Sequence, residues 1–193
     1  MQVHGPQSTV DRGLLAIQKA MRKVILSVAI SLDGFIEGRN GEYDWCPPPS
    51  QKEMNEFLDT IDAIFVGRKS FELLGPSSFP GKKLYVFSNS LKAINGKNVH
   101  LINGDSLSKV KDLKNQEGKD IWLFGGANLT TTFMNEGLVD EMWLGMVPVV
   151  LGAGKPLFQD IKQRNHFKLT EVTNRRTYLS LVLQSELPKR KKK

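Results

Sequence analysis

From Val24 onward, short apolar runs alternate with longer stretches that place apolar residues at helical spacing. The runs Val24 to Ile30, Ala63 to Val66, Leu84 to Phe87 and Ile121 to Phe124 are rich in β-branched and aromatic residues, as strands are. The stretches Lys52 to Leu58, Lys69 to Leu74, Leu107 to Glu117 and Leu129 to Glu136 read as helices between them. Strands that alternate with helices in this way favour an α/β fold with a mostly parallel central sheet and helices on both faces.

The chain ends differently. Met142 to Val150 reads as a strand bent by Pro148, and Phe167 to Thr173 and Thr177 to Leu183 read as two strands joined by a polar Asn174-Arg175-Arg176 turn. They are expected to add an antiparallel hairpin at the C-terminal edge of the sheet. Cys46-Pro47-Pro48-Pro49-Ser50 is a stiff loop, because each proline fixes its own backbone. Residues 1–20 are weakly patterned and read as an extension, residues 21–187 as one domain and residues 188–193 as a basic tail.

Composition narrows the choices. With 193 residues and 40% hydrophobic content, the chain can bury one sizeable core. No apolar run approaches the roughly 20 residues needed to cross a bilayer, and the first residues lack a secretory pattern. Cys46 is the single cysteine, and His4, His100 and His166 lie far apart without metal-ligand spacing, so a reducing cytoplasm and no structural metal are expected. The net charge of +7 suggests nucleic acid at first sight, but Lys189 to Lys193 supply +5 of it and residues 1–20 another +1, which leaves the body nearly neutral. A terminal basic run of this kind is ordinarily a solvated tail, so no specific nucleic-acid partner is expected.

Three strand ends carry candidate chemistry. In Ile121 to Met134 a strand stops at Gly125-Gly126 and a helix begins almost at once, a geometry that lets backbone approach a pyrophosphate or forms a tight empty turn. In Ala63 to Gly75 a strand runs through Gly67 into a helix whose start carries Arg68, Lys69 and Ser70, either phosphate ligands or solvated surface groups. Tyr85 to Ser90 ends in Ser88-Asn89-Ser90, a ligand edge or a plain turn. All three fall where doubly wound sheets bind ligands, at the carboxyl ends of strands. LGAGKP at Leu151 to Pro156 has the wrong glycine spacing for a P-loop and no Ser or Thr after Lys155, and reads as a structural turn.

Taken in order, SVAISLDGFIEG from Ser27 to Gly38, Trp45, VGRKSFELLG, YVFSNS and FGGANL resemble dihydrofolate reductase-like proteins. GLVDEMWLGMVPVVLGAGKPLF, from Gly137 to Phe158, looks more like the reductase domain of the bifunctional riboflavin-biosynthesis deaminase/reductase and its stand-alone relatives. The resemblance covers nearly all of residues 22–185 and implies the dihydrofolate reductase-like fold and NADPH. It implies that Gly67, Arg68, Lys69 and Ser70 hold the phosphate side, with Ser88 and Asn89 beside the 2′-phosphate. Gly125, Gly126, Ala127, Asn128, Leu129 and Thr130 would lie along the pyrophosphate, and Ala29 and Ile36 would meet the nicotinamide. Relatives of this type are commonly dimers, and Val147 to Leu151 offers an apolar edge for such a contact.

On the substrate side, Glu53 stands where those enzymes carry a carboxylate on the first helix, and it also suits a first-turn surface glutamate. Asp33 in SLDG is an acid near the nicotinamide or a turn former. Trp45 either stacks on a flat substrate or packs under the prolines, and Phe57 would flank the substrate. Gly145 and Thr130 replace the threonine and tyrosine of the folate enzymes, which points away from folate. The expected activity is hydride transfer from NADPH to a flat heterocycle, pterin-like or pyrimidine-like. Its rivals are a true dihydrofolate reductase and a nucleotide-binding protein that keeps the fold without catalysis.

Overall fold

The computed structural model describes residues 21–186, so the extension and the basic tail lie outside the described residues. The elements in chain order are β1 (Val24–Ser31), β2 (Phe35–Gly38), α1 (Gln51–Thr60), β3 (Ile61–Gly67), α2 (Arg68–Leu74), β4 (Lys83–Phe87), β5 (Val99–Ile102) and α3 (Ser106–Asn115). They continue with β6 (Asp120–Gly125), α4 (Ala127–Asn135), β7 (Glu141–Val147), β8 (Gly154–Pro156), β9 (Phe167–Asn174) and β10 (Leu179–Ser185).

Eight strands form one sheet in the order β5-β4-β3-β6-β1-β7-β10-β9. From β5 to β7 every pairing is parallel, and β10 and β9 close the far side as an antiparallel hairpin. The connections β1 to β3 and β3 to β4 move one way along the sheet through α1 and α2. Those from β5 to β6 and from β6 to β7 move the other way through α3 and α4. Crossovers of a single hand therefore put the two helix pairs on opposite faces. Phe57, Leu58, Phe71 and Leu74 pack on Ile61, Ile64, Val66, Leu84, Val86 and Trp122 on one face. Val110, Leu113, Phe133 and Met134 pack on Val24, Leu26, Ala63, Phe65, Ile121 and Leu123 on the other. Phe65 is fully buried, with the rings of Tyr85, Phe87 and Phe133 at 5.3–5.7 Å.

The structure adds to and corrects the pattern-based reading in three places. β2, β5 and β8 are strands that the pattern did not announce, and β8 takes Gly154 to Pro156 out of the expected turn and pairs them with β2. β7 stops at Val147 rather than running to Val150, because Pro148 has no N–H to continue a ladder. The hairpin turn is also longer than expected, since β10 starts at Leu179 and leaves Arg175 to Tyr178 outside the strands.

Candidate functional site

The carboxyl ends of β1, β3, β6 and β7 lie side by side, and β6 sits between β3 and β1. The chain leaves β1 toward β3 but leaves β6 toward β7, so the direction of travel reverses there, and a crevice opens where it does. The register pairs Val66 with Gly125, which brings the two glycine turns together. A Cβ on Gly67 would stand 3.5 Å from the Gly125 carbonyl oxygen and 3.7 Å from the Gly126 nitrogen. A Cβ on Gly126 would meet the Ser70 hydroxyl at 3.4 Å, and one on Gly125 would meet the Thr130 hydroxyl at the same distance. Gly125 has φ of +101° and the Gly125–Gly126 peptide is cis. The missing side chains leave a strip of bare backbone bounded by Ser70.

The helices that start at this strip differ from the other two. α1 opens with a capping box, in which the Glu53 N–H donates to the Ser50 hydroxyl and the Ser50 N–H donates to the Glu53 carboxylate. α3 opens on Asp105, whose carboxylate accepts the Ser108 N–H. α2 and α4 open on Gly67 and Gly126 with no side-chain cap at all. Their starts thus lack a side-chain partner for the first-turn N–H groups, the state in which a helix start accepts an anion.

Other expected cofactor residues contribute through backbone or serve neighbours. Ala127 and Thr130 are buried, Leu129 packs on the core, and the Asn128 side chain accepts the Gln159 amide at 2.7 Å. Arg68 pairs with Glu72 at 2.7 Å, while Lys69 is exposed. The Ser88 hydroxyl accepts the Ser90 and Leu91 N–H groups at 3.2 and 3.1 Å, and Asn89 is exposed beside it. Ala29 pairs with Gly145, and Ile36 in β2 packs against the main core.

Asp33 is a tie between loops. Its carboxylate accepts the Gly152 N–H at 2.7 Å and the Leu151 N–H at 3.1 Å, and the Ser31 hydroxyl donates to it at 2.6 Å. These bonds, that of Ser31 foremost, hold the Asp33 carboxyl below its ordinary range. A carboxyl depressed by folding stabilises the fold above its unfolded value of 3.8, and that contribution is lost as pH falls through the lower folded value. Asp33→Asn is therefore expected to flatten the acid limb of a stability-against-pH curve below about pH 4. Thermal melts across acidic buffers check this, and an unchanged limb would show that the tie carries no pH dependence.

Glu53 faces the C-terminal hairpin. Beyond Ser50, its carboxylate pairs with Arg175 at 3.4 Å, with the Tyr178 side chain beside the pair. The Ser50 hydroxyl first, then the Ser50 N–H, Arg175 and Tyr178, hold the Glu53 carboxyl low. Phe57, a turn further along α1, lies 5.0 Å from Trp122 and 5.3 Å from Trp143 in an aromatic cluster under the helix. The Trp45 indole Nε1 is buried with no hydrogen-bond partner among the described residues. Tyr178 is the site-side residue that the pattern did not mark. Its ring carbons stand 3.4 and 3.6 Å from where a Gly145 Cβ would be, so the absent side chain of Gly145 is what admits the ring. Among the described residues no cluster of His, Cys, Asp and Glu has the arrangement of a metal site, and no helix is long and apolar enough to cross a membrane.

Residues 22–180 match the RibD C-terminal domain. The chain belongs to that family. It is 47% identical over 178 residues to the uncharacterized protein YyaP of Bacillus subtilis (strain 168), covering 84% of this chain and 93% of that protein. It is 34% identical over 155 residues to YwjB of the same organism, also uncharacterized, covering 77% and 89%. Among solved structures, a putative riboflavin biosynthesis protein from Shewanella sp. PV-4 superposes with a TM-score of 0.74 at 23% identity, over 86% of this chain and 99% of that one. The diaminohydroxyphosphoribosylaminopyrimidine deaminase/5-amino-6-(5-phosphoribosylamino)uracil reductase of Thermotoga maritima superposes with 0.67 at 17% identity, and there this RibD C-terminal domain spans 57% of the longer chain. The dihydrofolate reductase-like fold expected from the motifs is thus the fold of this RibD-type protein.

Proposed function

We propose that this RibD-type protein is an NADPH-dependent reductase that reduces a C=N or C=O group of a flat heterocycle, pterin-like or pyrimidine-like. Membership of the family supports an oxidoreductase, since the Thermotoga neighbour is a reductase by name. The observation that carries the cofactor is the bare strip made by Gly67, Gly125 and Gly126, where two adjoining helices both begin without a side-chain cap. Phosphate oxygens suit that strip because the uncapped N–H groups and the helix dipoles favour negative charge. Ser70 adds a hydroxyl, Lys69 a cation, and Arg68 a second cation shared with Glu72.

When bound, NADPH supplies the hydride. The chain's own part is to hold the reactants, exclude water and deliver a proton. Ala29 and Gly145, paired at the ends of β1 and β7, present backbone and little side chain to the acceptor half of the crevice. Glu53 and Asp33, the carboxylates of this half, are engaged in ties to Ser50, Arg175 and Tyr178 and to Gly152, Leu151 and Ser31 respectively.

Calorimetric titration tests the reading directly. NADPH is expected to bind at least about tenfold more tightly than NADH, a difference of about 1.4 kcal/mol, because Arg68, Lys69 and Ser88 favour the extra phosphate. Equal binding of the two would remove the 2′-phosphate role of Arg68 and Ser88. Binding of neither would overturn the reductase reading.

A further inference from the structure

The acceptor half of the crevice holds one arrangement that the cofactor reading leaves unused. Tyr178 lies in the turn between β9 and β10, yet its ring rests on Gly145, next to Ala29 on the neighbouring strand. The Gly145 site positions it from below. From the side it lies against the Glu53 carboxylate, which pairs with Arg175 at 3.4 Å. Packing at Gly145 holds the ring, and the Glu53–Arg175 pair borders it. On the reading that the crevice is a reductase site, we infer that Tyr178 is the proton donor to the heterocycle.

Chemistry and position agree on this choice. Reduction of a C=N or C=O group needs a hydride on carbon and a proton on the nitrogen or oxygen. The hydride and its two electrons come from NADPH, which is oxidised to NADP+. The proton comes from Tyr178 as its O–H bond breaks and an N–H or O–H bond forms on the acceptor, and water then reprotonates the phenolate. The Glu53 and Asp33 carboxylates are both held in their ionised form by the bonds described above, so they have no proton to give at neutral pH. Burial, then the Glu53 charge, raises the Tyr178 phenol above its ordinary range, which keeps it protonated there. The other titratable groups facing it are Arg175, which opposes that rise, and Cys46, whose thiol burial pushes up.

The test uses the full chain and Tyr178→Phe, which keeps the ring on Gly145 and removes only the hydroxyl. Calorimetry with NADPH is expected to give the same affinity for both proteins. Tyrosinate absorbance is then followed against pH in the NADP+ and NADPH complexes, with Tyr178→Phe identifying the Tyr178 signal among the tyrosines. A hydroxyl beside the nicotinamide ionises at lower pH when the ring is the cationic NADP+ form, because a positive neighbour favours the phenolate. Dihydrofolate and the aminouracil named for the Thermotoga reductase serve as acceptor probes. With whichever the wild type reduces, Tyr178→Phe is expected to lower kcat about 100- to 10,000-fold with KM nearly unchanged. Identical Tyr178 titration in the two complexes, or a kcat within about twofold of wild type, would overturn the assignment while leaving the reductase reading intact. Failure of both proteins to bind NADPH would overturn the reading and the assignment together.

Discussion

Arg22→Ala is expected to lower the unfolding free energy by about 3 kcal/mol, measured as a shift of the urea midpoint followed by tryptophan fluorescence. Arg22 precedes β1 and is 6% exposed. Its Nε donates to the Lys119 carbonyl at 2.5 Å and its Nη1 to the Leu113 carbonyl at 3.4 Å, while Nη2 pairs with Asp62 on β3. One guanidinium thus joins the start of β1, the end of α3, the turn into β6 and the start of β3. A cation among the last carbonyls of α3 also opposes the helix dipole. Removing it leaves two carbonyls without their donor and the Asp62 carboxylate without its cation, although the Lys119 N–H still donates to it at 3.1 Å. Breaking a buried pair costs about 3–5 kcal/mol, and the low end applies because the Asp62 side chain is 36% exposed. A loss below about 1 kcal/mol would place this pair with ordinary surface ion pairs. Lys114, buried against Asp140 at 2.5 Å, belongs to the same end of the sheet and serves as an independent comparison.

Gly126→Val is expected to leave the fold intact and to weaken NADPH binding by about 100-fold or more, equal to about 2.7 kcal/mol. The backbone of Gly126 has φ of −73°, open to any residue, and its Cβ would meet the Ser70 hydroxyl at an ordinary 3.4 Å. The branched side chain would nonetheless fill the gap between the two glycine turns and cover the α4 start. Gly125→Ala is the control for strain, because φ of +101° disfavours a side chain by about 1–2 kcal/mol. Calorimetry beside thermal melts separates the effects, since Gly126→Val changes affinity and Gly125→Ala also lowers the melting temperature. A folded Gly126→Val that binds NADPH as the wild type does would take the cofactor away from this strip.

The two substitutions probe opposite ends of the sheet, and the division has a physical origin. At the amino ends of the strands, charged residues are paired and buried, so they act on stability. At the carboxyl ends, side chains are missing or held in loops, so backbone is left for a ligand. Asp33 and Glu53 both serve the structure there. Each stands in its motif as a candidate acid, and each ties two segments together.

Local pattern carried the reading of the strands and helices that pack on both sides of the sheet, because a continuously apolar run such as Ile64 to Val66 has few other stable environments. It was silent on β5, β2 and β8. β5 has four residues at a sheet edge, and β2 and β8 are short, glycine-bearing strands from distant parts of the chain, so little in their own composition demands pairing. The glycines of the bare strip were legible for a similar reason: strand, glycine and helix start are consecutive, and a turn of that kind is decided by neighbours in sequence.

Tyr178 was not legible, although Gly145 stood out as a departure from the folate enzymes. What links the two is the pairing of Ser180 with Gly145 across β10 and β7, with Tyr178 two residues before it in the hairpin turn. Nor could Glu53 be known to face Arg175 before the hairpin was folded against α1. The main strands and helices, the glycine turns and the family were therefore determined by residues acting over short spans. The acceptor side was decided only by tertiary structure, because its contacts join segments more than a hundred residues apart, and strand register and crossover hand alone bring those together.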